Sequence, residues 1–130
     1  MIVDSSAIIA ILRNEPEANT LSTTLQKAVI CRASAVTYVE SAIVTDANRD
    51  PVLSRRFDDL LRDVKMRLEP VTPRQAEIAR HAYRDFGKGR HKAGLNFGDC
   101  FAYALAKDVD EPLLFKGEDF RHTDVEVADF

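Results

Sequence analysis

Four short apolar stretches decide what this chain can become. "MIV", "AVIC", "LEPV" and "PLLF" are each only a few residues long and do not alternate apolar with polar. Such runs read as strands covered on both faces. Placed on the chain, they predict strands at Ile2–Val3, Val29–Arg32, 68–71 and 112–115, with "VEVA" as a last edge strand. The stretches between carry helical spacing and helical punctuation. Ser5 to Arg13 stops near Asn14 and Pro16, and Pro16 to Lys27 has Pro and Glu in its first turn. Residues 35–48 follow a Ser34 cap, and "DPVLSRRFDDLLRDVKM" opens on Asp-Pro. "TPRQAEIARHAYRDFG" opens on Thr-Pro and closes on Gly87, and "CFAYALAKDV" precedes "PLLF". Short buried strands alternating with helices predict an α/β fold, a mostly parallel sheet of four to five strands between helices. At 130 residues and 45% apolar, the chain has enough core for one domain, 1–130, and no room for a second.

In such sheets ligands bind beyond the carboxyl ends of the strands. Asp4 stands at one such end and the "KGED" turn at another. Each acid here has a plain structural explanation. Asp4 precedes a helix and can cap it, and Ser6 can share the cap, hold Asp4 or hold a bound water. Glu40 sits mid-helix with Val36, Ile43 and Val44 at i−4, i+3 and i+4, so it projects from an apolar face. A carboxylate there needs a cationic partner, a proton or a metal. Asp99 follows Gly98 where a helix begins and can cap it too. Asp119 lies in a turn, where aspartate is common. Glu118 and Asp124 are weaker competitors.

Taken together the acids have a chemical logic. Carboxylates gathered at one sheet edge repel, which raises their pKa values unless a cation neutralises them. An all-oxygen donor set selects Mg²⁺, or Mn²⁺ in its place, over zinc. His81, His91 and His122 show no paired zinc spacing. A carboxylate-held Mg²⁺ suits phosphoryl chemistry.

The formal net charge is −3, so any nucleic-acid contact needs a local basic patch. Arg84, Lys88, Arg90 and Lys92 offer one next to Asp99, a candidate for RNA phosphates; a solvated loop explains the same charges. Tyr83, Phe86, Phe101 and Tyr103 are expected in the core. Cys31 and Cys100 lack CxxC spacing and read as reduced, buried thiols, with no nearby histidine to activate Cys100. The longest early apolar run, Ala7 to Leu12, is far short of the ~20 residues of a membrane span. No leader is read, and a cytoplasmic protein is expected.

Four separated segments resemble one family. "MIVDSSAIIAILRNEPEA", "SAVTYVESAIV", "GLNFGDCFAYALAK" and "PLLFKGEDFRHTDV" are similar, in order and spacing, to PIN-domain proteins, specifically the VapC toxins of bacterial toxin–antitoxin pairs. The resemblance implies a three-layer α/β/α PIN fold and a Mg²⁺-dependent endoribonuclease that inhibits growth by cutting RNA. It also implies a homodimer and a small VapB-type antitoxin as partner. Asp4, Glu40 and Asp99 match the family's acidic positions, with Asp4 and Asp99 the implied direct metal ligands. One departure stands out. Where many PIN domains carry Thr-x-Asp after the fourth strand, this chain has Phe115, Lys116 and Gly117, so the fourth acid must come from Asp119.

Two other readings meet obstacles. An aspartyl-phosphate phosphatase would need an acid where Ser6 stands. A catalytically weak PIN-fold module, binding RNA or protein only, does not need acids at 4, 40 and 99.

Overall fold

The computed structural model describes residues 1–130. In chain order it contains β1 (Ile2–Val3), α1 (Ser5–Leu12), α2 (Ala18–Lys27), β2 (Arg32–Ser34), α3 (Ala35–Asp46), α4 (Pro51–Asp63), β3 (Arg67–Glu69), α5 (Pro73–Phe86), α6 (Phe97–Val109) and β4 (Leu113–Leu114). A 3₁₀ turn, Asp119–His122, follows. The four strands are all parallel and lie in the order β3-β2-β1-β4.

Successive strand residues face opposite sides of a sheet, and this one uses that to build two cores. Ile2 and Leu113 join a core with α5 and α6. Val3 and Leu114, one residue on, join a second core with α1, α2 and α4. All four side chains are fully buried. The result is the three-layer α/β/α arrangement, with four strands. "VEVA" adds only a single parallel bridge, Val127 to Leu113.

Three elements differ most from the sequence reading, beyond small shifts elsewhere. β2 starts at Arg32, three residues later than expected, and Val29 is 99% exposed. Pairing decides this: Arg32 aligns with Ile2 on one side and Arg67 on the other, which leaves residues 28–30 outside the sheet. β3 is an edge strand with Leu68 exposed, so it is not covered on both faces. α6 begins at Phe97, because Asn96 rather than a later residue caps it.

α3 is turned over relative to its pattern. Its buried residues are Thr37, Ser41 and Thr45, while Val39, Ile43 and Val44 are exposed. The small polar face packs towards α1, α4 and α6. Ser41 meets its own hydrogen-bonding need by donating to the Thr37 carbonyl at 2.6 Å. The apolar face that carries Glu40 is therefore open.

Candidate active site

β1 lies between β2 and β4, and the chain runs outward from β1 to β2 and β3 before returning to place β4 on β1's other side. The order reverses at β1, and a crevice at such a switch point is where α/β sheets bind ligands. Asp4 is the first residue beyond β1. Its N–H donates to the Leu114 carbonyl at 2.9 Å, which fixes it at the sheet's end. Asp4 Oδ2 accepts from the Ser6 N–H at 3.0 Å, so Asp4 does cap α1. Its other oxygen, Oδ1, is buried and has no hydrogen-bond partner. One oxygen serves the helix and one is left over.

Asp99 repeats the pattern. It occupies the first turn of α6, where Oδ2 accepts from the Asn96 N–H and Asn96 Oδ1 accepts from the Asp99 N–H, both at 3.0 Å. This capping box satisfies two helix donors. Asp99 Oδ1 takes no hydrogen bond from the chain. Glu40 reaches the same place from α3. Ser5 Oγ donates to Glu40 Oε1 at 2.6 Å, and Oε2 lies against Gly98. The sequence singled out Ser6 but missed Ser5 and Gly98; the Ser-Ser pair after Asp4 was the available signal.

The acids feel one another. Burial raises the Asp4 pKa, and the charge of Glu40 raises it further, against the Ser6 hydrogen bonds. Asp99 is pushed up to about 7, first by burial, then by Asp4, with Glu40 and Asp119 adding. Asp119 opens the 3₁₀ turn, is exposed, and is the weakest of these influences. None of the chain's ion pairs includes Asp4, Glu40, Asp99 or Asp119. Lys116, just past β4, is turned to Glu15 at 2.6 Å and Glu17 at 3.7 Å instead. Its N–H donates to Ser6 Oγ at 3.0 Å, which ties the β4 turn to the start of α1. Gly117 has φ +101°, a conformation that L side chains avoid, so this turn favours glycine over an acid there.

The donor set fits a hard divalent cation. Its free atoms are carboxylate oxygens, one of them buried and orphaned. No three of the chain's Asp, Glu, His and Cys side chains stand close enough to chelate one ion together. Two carboxylates plus water are a normal complement for Mg²⁺. Among the acids, Asp4 acts most strongly on Asp99, ahead of Glu40 and Asp119.

The other sequence candidates are scattered. Lys88, Arg90 and Lys92 are exposed and make no ion pair, while Arg84 pairs with Asp85 at 3.1 Å. Arg80, His81, Tyr83, Arg84 and Arg90 line a basic hollow of 470 Å³. Arg80 escaped the sequence reading because it lies one helical turn before the loop. Tyr83 is exposed, not in the core, whereas Tyr103 is buried and donates to Asp124 at 2.5 Å. That bond, with Lys107, gives Asp124 a structural post away from the acids. Cys100 is buried and its thiol is pushed up to about 11, mainly by burial, which leaves it inert.

Comparison with known proteins agrees with this fold. The PIN domain family model matches residues 1–126. Ribonuclease VapC28 of Mycobacterium tuberculosis is 57% identical over 129 residues, spanning 98% of this chain and 97% of that protein. Among solved structures, M. tuberculosis VapC20, described as a sarcin-ricin loop cleaving toxin, superposes with a TM-score of 0.77 at 15% identity, covering 98% of this chain and 97% of the other. A toxin–antitoxin complex from Klebsiella pneumoniae gives 0.73 at 15% identity, covering 98% and 95%. With its three-layer fold and its acids gathered beyond β1, the chain belongs to the PIN-domain family and, within it, to the VapC ribonucleases.

Proposed function

We propose that this chain is a metal-dependent endoribonuclease and the toxic member of a toxin–antitoxin pair. The observation that carries the reading is the orphaned Asp4 Oδ1, buried beside Asp99 and Glu40 with no cation from the chain to balance them. Asp4 and Asp99 would hold Mg²⁺, or Mn²⁺ in its place. When bound, that ion would polarise a phosphodiester oxygen and lower the pKa of a water.

The chain's own residues divide the remaining work. Asp4 and Asp99 keep one oxygen each on a helix cap, so their free oxygens are aimed without further support. Glu40 takes the proton of the attacking water, held in place for it by Ser5. Asp119, exposed at the start of the 3₁₀ turn, would act on such an ion only through water. In-line attack leaves a 5′-phosphate and a 3′-hydroxyl; a 2′,3′-cyclic phosphate product would refute this scheme. Lys88, Arg90 and Lys92, with the hollow at Arg80 and Arg84, bind RNA phosphates near α6.

A VapB-type antitoxin would pair with this chain as the antitoxin pairs with its toxin in the Klebsiella complex, and the groove where Ile11, Leu25, Leu60 and Val64 meet Arg56, Asp59 and Asp63 offers it a mixed apolar and charged seat. A homodimer would cover the open apolar face of α3 with Phe97, which is 72% exposed. No helix is long and apolar enough to cross a membrane.

Expression in a bacterial host tests the proposal. The unmutated chain alone should arrest growth, its cognate antitoxin should relieve the arrest, and Asp4→Asn should be harmless. Growth arrest persisting in Asp4→Asn would sink the mechanism, and no arrest by the unmutated chain would count against the toxin.

A further inference from the structure

Glu40 is held differently from the two acids beside it. Asp4 and Asp99 are fixed by the backbone of helices they cap. Glu40 reaches them from mid-helix at the end of a flexible side chain, and its charge acts on both Asp4 and Asp99. Its position needs something else to set it.

Two groups meet its carboxylate. Ser5 Oγ donates to Oε1 at 2.6 Å. On the opposite side lies Gly98 in the first turn of α6. A Cβ built on Gly98 would stand 1.8 Å from Glu40 Oε2, 2.5 Å from Cδ and 2.8 Å from Oε1. Gly98 has no left-handed φ, unlike Gly89, Gly94 and Gly117, so its backbone does not require glycine. Glycine is also a poorer helix former than alanine. The space taken by the Glu40 carboxylate is what a side chain at 98 would occupy.

We infer that Ser5 and Gly98 are positioning residues, a clamp that holds the Glu40 carboxylate beside Asp4 and Asp99. The Ser-Ser pair then divides in two. Ser6, anchored by the Lys116 N–H, serves Asp4, and Ser5 serves Glu40. The functional consequence rests on the nuclease reading above; the geometric claim does not.

The test uses Ser5→Ala, Ser5→Thr and Gly98→Ala, each also combined with Glu40→Gln. Mn²⁺ affinity is measured by calorimetry, RNA cleavage as kcat and KM, folding by melting temperature, and the Glu40 position by crystallography. Ser5→Ala and Gly98→Ala should each lower Mn²⁺ affinity or kcat by about 10-fold or more, as losses of ligand-orienting groups do. KM and melting temperature should hold, and Ser5→Thr should restore wild-type behaviour. In the Glu40→Gln background, neither change should weaken Mn²⁺ binding further. Equal losses in that background would overturn the clamp, because the effect would not pass through Glu40. So would a Gly98→Ala crystal structure with Glu40 still on Ser5. If Gly98→Ala does not fold, the Ser5→Ala structure decides, with Glu40 expected to leave its place. A wild-type protein that neither binds Mn²⁺ nor cuts RNA would refute the nuclease reading instead, and the crystal structures alone would then judge the clamp.

Discussion

Two groups of charges in this sheet are treated in opposite ways. Near the strand starts, the Met1 amino group and Arg32 share Glu111, and Arg32 also takes Glu69 at 2.7 Å. Each acid there has a cation, and the amino terminus and Arg32 outweigh burial to hold the Glu111 pKa low. Beyond the strand ends, Asp4, Glu40, Asp99 and Asp119 face one another with no cation among them, and Asp99 is driven up to about 7. One sheet thus carries a balanced cluster and an unbalanced one. Folding alone would favour balance at both, since buried unpaired charge is costly. The unbalanced cluster is the one that the proposed cation would neutralise.

The largest expected effect comes from removing one of those acids. Asp99→Asn keeps the cap oxygen for Asn96 but loses the charge. RNA cleavage should fall by ~1,000-fold or more, since metal-assisted charge stabilisation supplies several kcal/mol. The metal-free protein should nonetheless become more stable at pH 8, by roughly 3–5 °C in melting temperature if about 1 kcal/mol of repulsion is relieved. The pH dependence fixes the sign. Asp4 and Asp99 have raised pKa values in the fold, so their contribution to stability is full below the ordinary carboxyl range. It is lost as pH rises through the folded values, near 7 for Asp99. Melting scans of the metal-free wild type from pH 5 to 8 should show that loss, and Mn²⁺ should reverse it. A variant no more stable than wild type at pH 8 would break the contrast between the two clusters.

Much of this arrangement was legible in the sequence, for identifiable reasons. Short strands that bury both faces have little freedom, so "MIV" and "PLLF" announced a parallel sheet and put Asp4 at its end. Helix caps are legible too, and a cap does not compete with chemistry at Asp4 and Asp99. A carboxylate has two oxygens, and here the cap occupies only one of them. α3 was misread because periodicity reports which residues share a face, not which way that face points. Thr37, Ser41 and Thr45 face inward, where small side chains let α3 pack closely, and the valines and Ile43 face out. Gly98 is illegible because its partner, Glu40, is distant in sequence and meets it only in the fold; for Ser5 the Ser-Ser pair after Asp4 gives a signal but not the partner.

The balanced cluster should respond in the opposite sense. Glu111→Gln leaves the amino terminus and Arg32 short of a partner and should lower the melting temperature by a few degrees, for about 1 kcal/mol. Cleavage should be unchanged. Because the Glu111 pKa is lowered, its stabilisation is present above the ordinary carboxyl range and is lost as pH falls through its folded value. The variant's deficit should therefore shrink in acid, where the Asp99→Asn gain also shrinks. A deficit that persists unchanged at pH 3 would show that packing, not charge, sets the role of Glu111.

The smallest effect tests whether the exposed basic residues serve the substrate or balance the acids. Lys88, Arg90 and Lys92 make no ion pair. If they were counter-charges for the acid cluster, their removal would raise the Asp99 pKa and steepen the loss of stability towards pH 8. If they bind RNA phosphates, removal would leave that profile alone and change only how binding depends on salt. Arg90→Ala with Lys92→Ala should therefore weaken RNA binding and flatten the slope of log affinity against log salt by ~0.7 for each phosphate no longer neutralised. The pH–stability profile should overlay that of the wild type. An unchanged salt slope would assign both residues to a solvated loop, and a shifted pH profile would make them part of the acid cluster's balance after all.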